Sequence, residues 1–127
     1  AVDISPTAIE KARSRYGSLD IDFSVMDIQT GLERYDRAFD LVILSQMVWY
    51  ILPRFREMTE LILGSVLRGE GYLMINQAFY KPDEQRYGKE IISSVDDLLE
   101  LVGKEPLAIL ESNRFTNHNA IILYCNR

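Results

Sequence analysis

The side chains that could do chemistry are spread thinly along this 127-residue chain. Two carboxylates, Asp3 and Asp27, each follow a short apolar run. A carboxylate offers two acceptor oxygens to paired donors such as vicinal hydroxyls, and charge-assisted bonds are the stronger kind. Each also stands where an acid serves structure alone, Asp3 ahead of a helix N-terminus and Asp27 in a turn. Ser45 and Gln46 close the most apolar run in the chain. A glutamine neither takes a proton nor ion-pairs a cation, but it orients a hydroxyl, amine or carboxylate. Trp49 and Tyr50 follow. Their faces attract an organic cation, although such rings are also ordinary core. Tyr80, Lys81, Arg86 and Tyr87 share a polar loop that reads either as a lid over an acceptor or as solvated surface. His118, the only histidine, is the residue type that serves as a base near neutral pH. Its alternative is a solvated or structural imidazole.

Composition narrows the field. The formal charge of −5 argues against nucleic acid as a partner, since that needs a basic face. One cysteine and one histidine allow neither an internal disulfide nor a Cys/His zinc cluster, so no metal is expected. The apolar run from Leu41 to Leu52 is broken by Ser45 and Gln46 and is too short to span a bilayer. No signal peptide is visible, and a soluble cytoplasmic protein is expected. The chain opens at Ala1 without a methionine, which raises the expectation of an upstream segment.

These residues need elements to position them. Ala1 to Ile4 reads as the end of a strand. Ser5-Pro6 starts a helix, with Ser5 as N-cap and Pro6 at the first helical position. Ala8, Ile9, Ala12 and Tyr16 give that helix one apolar face, and Gly17 ends it. Ile21, Phe23 and Val25 alternate as a short strand, and Asp27 to Ala38 is turn-rich. Phe39 to Leu44 suits a parallel strand buried on both faces. Pro53 to Leu67 reads as a helix, Arg68-Gly69-Glu70-Gly71 as a turn, Tyr72 to Ala78 as the next buried strand and Phe79 to Ile92 as a loop. Ser94 caps a helix through Leu101 with Asp97 in its first turn. Leu107 to Ser112 and Ala120 to Tyr124 form an antiparallel pair. Alternating strands and helices imply a mostly parallel sheet covered on both faces, here with an antiparallel C-terminal edge, in one domain spanning residues 1–127.

This succession resembles the class I S-adenosylmethionine-dependent methyltransferase fold from its second strand to its seventh. Four stretches carry the resemblance: Ala1-Val2-Asp3-Ile4-Ser5-Pro6 running into Ala8 to Arg13; Val25-Met26-Asp27-Ile28; Phe39 to Ser45 followed by Met47 to Leu52; and Leu67 to Ile75 with its Arg-Gly-Glu-Gly turn. The third looks closest to nodulation-type N-methyltransferases and other small-molecule methyltransferases. The resemblance implies a Rossmann-like three-layer α/β sandwich with S-adenosylmethionine as cofactor. Asp3, with Ile4, would take the ribose hydroxyls. Asp27 would receive the adenine amino group, with Met26 and Ile28 packed on the ring. Ser45 and Gln46 would meet the methionine end; many relatives carry Glu or Asn where Gln46 stands. Tyr50 and His118 are the catalytic candidates, and Trp49, Tyr50, Tyr80 and Tyr87 the substrate-binding ones. The acceptor implied is a small molecule with a nitrogen or oxygen nucleophile.

The family's glycine-rich turn after its first strand has no counterpart here. In the family's sheet order (third, second, first, fourth, fifth, seventh, sixth) the absent strand lies between those ending at Asp3 and Ser45. An N-terminally truncated domain that binds cofactor poorly by itself is therefore expected. Three completions stay open: more N-terminal residues, a strand from a partner chain or second copy, or direct closure of the two flanking strands. Two rival functions also stay open, an inactive methyltransferase-like interaction domain and a nicotinamide-binding oxidoreductase, in which an acid at the second strand also binds ribose.

Overall fold

The computed structural model describes residues 1–81, 83–113 and 118–127. They form two compact units, residues 1–34 and 35–127, each with its own sheet.

In the first unit, β1 (Val2–Asp3) pairs in parallel with β2 (Ser24–Val25), setting Asp3 opposite Val25. Between them runs α1 (Pro6–Tyr16), whose N-cap Ser5 accepts the amide of Ala8 at 3.2 Å. Gly17 is the C-cap, its amide donating to the Arg13 carbonyl at 2.8 Å. The strand expected over Ile21, Phe23 and Val25 shrinks to its last two residues. The Ile21 amide turns back to the Leu19 carbonyl at 2.8 Å, so that backbone is used in a turn and not in a ladder. The polar stretch after Asp27 holds α2 (Ile28–Gly31) and a 3₁₀ turn, Leu32–Arg34.

The second unit is built on β3 (Phe39–Ser45), β4 (Leu67–Phe79), β5 (Ala108–Ser112) and β6 (His118–Cys125). Their order is β3-β4-β6-β5. β3 runs parallel to β4, and β6 is antiparallel to both β4 and β5. The strand order and the antiparallel end pair are those expected for this part of the fold, and the class is α/β and Rossmann-like. β1 and β3 belong to different sheets.

Three local expectations are corrected. The single helix over Pro53 to Leu67 is a 3₁₀ turn (Leu52–Arg54), α4 (Phe55–Leu61) and a π turn (Ile62–Val66), after a one-turn α3 (Val48–Ile51). Leu67 already belongs to β4. Gly64, Ser65 and Val66 are weak helix formers, and the last turn loosens where they fall. Arg68 to Gly71 is a bulge inside β4, not a separate turn. Phe39 pairs with Leu67 and Leu41 with Tyr72, so the extra residues loop out, with Glu70 in the left-handed region at φ +64°. Finally, β3 is not buried on both faces. Leu41 and Ile43 are 46% and 50% exposed, and Tyr72, Leu110 and Ile121 on the same sheet face are exposed as well. β3 has the composition of a central strand and the position of an edge.

The opposite sheet face makes the core. Leu73, Ile75, Ile122 and Tyr124 are fully buried there, as are Phe55, Met58, Ile62 and Leu98. Leu98 comes from α5 (Val95–Val102), which opens on a capping box: Ser94 Oγ accepts the Asp97 amide at 3.2 Å, and Asp97 Oδ2 accepts the Ser94 amide at 3.0 Å. Gly103, at φ +67°, closes it. No helix among the described residues is long and apolar enough to cross a membrane.

Hydrogen bonds from the Ser93 hydroxyl and amide, then from Ser94, hold the Asp97 carboxyl below its usual range. Its folded pKa is thus lower than its unfolded value of about 3.9. The stabilisation is complete above that value and fades as pH falls through the folded pKa. Asp97→Asn should lower stability at neutral pH, and urea unfolding across a pH series should show the deficit closing below about pH 4. Tyr124 is buried with its hydroxyl unpartnered among the described residues, and burial pushes its pKa up to about 12. Leaving a buried hydroxyl unsatisfied costs about 1–3 kcal/mol. Tyr124→Phe should therefore match or exceed the parent in urea, and a loss above about 1 kcal/mol would reveal a hidden partner.

Candidate functional site

In the first unit the two candidate carboxylates sit at the C-terminal ends of paired strands. Asp3 Oδ1 accepts the Ser5 amide at 2.7 Å, and the Asp3 carbonyl accepts the Met26 amide at 3.0 Å. Asp27 is the N-cap of α2, its Oδ1 taking the Gln29 amide at 2.9 Å. Each acid thus has a structural duty on one oxygen, and Oδ2 of each has no protein partner among the described residues. Ile4 is exposed, while Met26 and Ile28 are buried. The Met26 side chain fills the space where a Gly31 Cβ would sit, and its sulfur is 3.1 Å from Arg34 Nη2.

In the second unit the chemistry collects at one end of the sheet, where β3 and β4 finish and β6 begins. Two glutamines join the strand ends. Gln46 Oε1 accepts the Ala78 amide at 3.0 Å, and the Gln46 amide donates to the Asn76 carbonyl at 2.8 Å. Gln77, fully buried, accepts the Val48 amide on Oε1 at 3.2 Å and donates to the Ala78 carbonyl at 3.0 Å. Gln46 carries φ +55°, a conformation that costs a non-glycine residue of order 1–3 kcal/mol. Ser45 Oγ lies 3.5 Å from Asn76 Nδ2. Gln46 therefore orients backbone with its carbonyl and keeps only its amide nitrogen for anything else.

The turn so fixed carries α3 into a cavity of about 660 Å³ lined by Trp49, Tyr50, Tyr80, Glu84, Gln85, Arg86 and Tyr87. All four expected substrate-binding rings line it. Trp49 meets Phe79 edge-on at 6.4 Å and Tyr80 at 6.3 Å, and Tyr50 is 80% exposed. Gln85, only 5% exposed, ties the loop together by donating to the Tyr87 and Ile92 carbonyls at 3.1 and 2.6 Å. Its Oε1 and the Trp49 Nε1 lack hydrogen-bond partners among the described residues. Lys81 is exposed and lies outside the cavity wall.

His118 is not a loop residue: it is the first residue of β6 and pairs with Phe79. Its ring centroid is 5.9 Å from that of Phe79, and its Nε2 is 2.6 Å from Glu111 Oε2. Asn117 lies outside the described residues. Gln77, Gln85 and Glu111 were missed in the sequence. Gln77 had a signal, since it falls in the inward register of Leu73, Ile75 and Phe79. Glu111 and Gln85 had none, because their partners are set by strand register and loop closure.

The sequence profile described as "Methyltransferase domain" matches residues 1–71. The chain belongs to this family. No curated protein sequence matches it. Among solved structures, the methyltransferase domain is similar to N-methyltransferase NodS from Bradyrhizobium japonicum WM9, with TM-score 0.76 and 15% identity over 98% of this chain and 71% of that one. NodS has also been solved with S-adenosyl-L-homocysteine, a match that covers 64% of that chain. A structure described by conversion of a disulfide bond into a thioacetal group during echinomycin biosynthesis gives TM-score 0.74 and 21% identity, over 98% and 64%. The [4+2]-cyclase SpnF gives TM-score 0.74 and 16% identity, over 98% and 64%. The domain thus spans 64–71% of the length of these chains.

S-adenosylmethionine is the cofactor of such a methyltransferase domain, and the residues present suit it. Asp3 and Asp27 each retain an acceptor oxygen for hydroxyl or amino donors. The matched segment contains Asp3, Ile4, Met26, Asp27, Ile28, Ser45, Gln46, Trp49 and Tyr50; Tyr80, Tyr87 and His118 lie beyond it. Gly88 anchors the loop that brings the later tyrosines to the cavity. It has φ +67°, and a Cβ there would fall 2.3 Å from Leu52 Cδ2. Gly88→Ala should destabilise the protein by about 1–3 kcal/mol and alter the fluorescence of Trp49, the only tryptophan. Denaturant unfolding and an emission spectrum check both effects. An unchanged spectrum would mean that the loop does not hold the cavity wall.

Proposed function

We propose that this methyltransferase domain serves transfer of a methyl group to a small molecule through a nitrogen or oxygen nucleophile, with the aromatic cavity as the acceptor's seat. The cavity itself supports this most. Its volume is within the range of about 300–1,000 Å³ usual for small-ligand sites, and its wall joins four aromatic rings to a few polar groups. Aromatic faces favour flat or cationic ligands, and the net negative chain disfavours nucleic acid.

When bound, S-adenosylmethionine supplies a methyl already activated by its positive sulfur. The chain's own residues then have to place the acceptor and take its proton. Asp3, with Ile4, is assigned to the ribose hydroxyls, and Asp27, flanked by Met26 and Ile28, to the adenine edge. Ser45 and the Gln46 amide nitrogen are assigned to the methionine end. Trp49, Tyr50, Tyr80 and Tyr87 hold the acceptor. Alignment of this kind can replace about 7–11 kcal/mol of barrier, which makes a modest set of catalytic groups sufficient. His118, which is outside the cavity's lining residues, is assigned to the nucleophile's proton, and the hydroxyl of Tyr50, which is in the lining, to orienting the nucleophile. A base of this kind contributes typically about 10²–10⁴-fold.

Fold likeness does not fix a reaction, and SpnF, described as a cyclase, shares this fold. The deciding experiment uses radiolabelled S-adenosylmethionine with a panel of amines, phenols and carboxylic acids. Methylated product is expected. His118→Asn should cut the rate about 10²–10⁴-fold for an acceptor that must lose a proton. Asp3→Ala should weaken calorimetric binding of S-adenosylhomocysteine about tenfold or more without comparable loss of stability. Cofactor binding without label transfer would leave the interaction-domain reading standing, and binding of NAD in place of the methyl donor would favour the oxidoreductase.

A further inference from the structure

Two charged side chains, Glu84 and Arg86, line the aromatic cavity. Both are exposed, and neither side chain has a hydrogen bond or ion pair among the described residues. The backbone that carries them is nonetheless braced. The Glu84 and Gln85 amides both donate to the Lys81 carbonyl, at 2.9 and 3.0 Å, and the Ile91 and Ile92 amides to the Gly88 carbonyl, at 3.0 and 2.8 Å. Between these two turns Gln85 Nε2 holds the Tyr87 and Ile92 carbonyls. Glu84 and Arg86 stand two positions apart on this segment, so their Cα atoms lie within about 7 Å of each other. Side chains of this length can reach both ends of one small molecule. The rest of the wall is four aromatic rings and two polar atoms without partners among the described residues, Gln85 Oε1 and Trp49 Nε1. Because the Gln85 nitrogen donates to two carbonyls, the unspent atom of that amide is its oxygen.

The wall thus offers one carboxylate, one guanidinium and aromatic faces that attract a cation. A neutral ligand would leave both charged groups to water. A small molecule with an ammonium and a carboxylate answers both at once. Its ammonium meets Glu84 and the ring faces, and its carboxylate meets Arg86, whose planar fork grips carboxylates through two parallel N–H bonds. Gln85 Oε1 and Trp49 Nε1, which are closed to solvent, repeat the same pairing of acceptor and donor behind that surface. We propose that the molecule seated in this cavity is an amine that also bears a carboxylate, and that Glu84 and Arg86 are the residues that select it. This rests on the cavity being the acceptor's seat, and it narrows the class of acceptor.

Three probes test this. Phenylalanine, phenethylamine and 3-phenylpropionate share a flat ring and carry, in turn, both charges, the cation alone and the anion alone. Each is titrated into the whole chain at neutral pH and low salt, and binding is read from the fluorescence of Trp49, the only tryptophan. Phenylalanine is expected to bind tightest, with each singly charged probe about three- to tenfold weaker. Glu84→Gln should weaken phenylalanine and phenethylamine but not 3-phenylpropionate. Arg86→Gln should weaken phenylalanine and 3-phenylpropionate but not phenethylamine. Both positions are exposed, so urea unfolding should show the two variants as stable as the parent. Equal affinity for the three probes, or no response to phenylalanine, overturns the proposal and returns the two charges to solvated surface. A variant that weakens all three probes alike overturns it too. Binding needs no methyl donor, so this result stands apart from activity. If phenylalanine binds as expected and labelled methyl reaches no acceptor, the acceptor-seat reading falls and the ligand class stands. If label goes to amines or phenols that lack a carboxylate, at a rate that Arg86→Gln leaves unchanged, methyl transfer stands and the selection by charge falls.

Discussion

The ladder between the second half of β4 and its two neighbours fixes everything chemical in residues 35–127. β3 meets β4 in parallel through Ser45 and Asn76, and β6 meets it antiparallel through His118 and Phe79. Because one neighbour ends where the other begins, the turn after Ser45, the loop after Phe79 and the start of β6 all emerge at the same edge. A register slip of one residue would turn Gln77 and Phe79 to the opposite face. It would break the Gln77 link to Val48 and carry Phe79 away from Trp49 and His118. The buried row Leu73, Ile75, Gln77 and Phe79 holds that register, since any slip would exchange apolar burial for exposure.

Two polar devices then convert a strand end into a site. Gln46 and Gln77 satisfy backbone groups where the ladder runs out, which lets the chain enter α3 with Gln46 in a strained conformation. Strain of that kind survives only where surrounding bonds over-determine it, and here the bonds come from both strands. Gln85 does the corresponding work on the far wall, closing the loop through two carbonyls. The cavity is therefore walled by rings but shaped by three glutamines.

The first unit works by a different economy. Asp3 and Asp27 are each half engaged in local backbone capping, so structural and ligand-binding readings of these acids are compatible and share one side chain. β3 shows the opposite situation. Its alternate residues Leu41 and Ile43 remain exposed, although their composition is that of a strand buried on both sides. Their side chains stay open to solvent on this sheet face.

The sequence by itself determined the order of the strands and of the longer helices, the helix caps at Ser5 and Ser94 and the pairing class of the last two strands. All of these rest on short-range physics: periodicity, capping chemistry and turn residues act within a few positions. It also marked Trp49, Tyr50, Tyr80 and Tyr87, because large rings in polar surroundings stand out. Contact between residues far apart in the chain was decided only by the tertiary structure. The Glu111–His118 pair depends on β5–β6 register, the Gln46–Ala78 and Gln77–Val48 links on β3–β4 register, and the Gln85 tie on closure of a loop with no periodic signal. The exposure of β3 was likewise beyond reach of its own residues, because burial is a property of neighbours and not of composition.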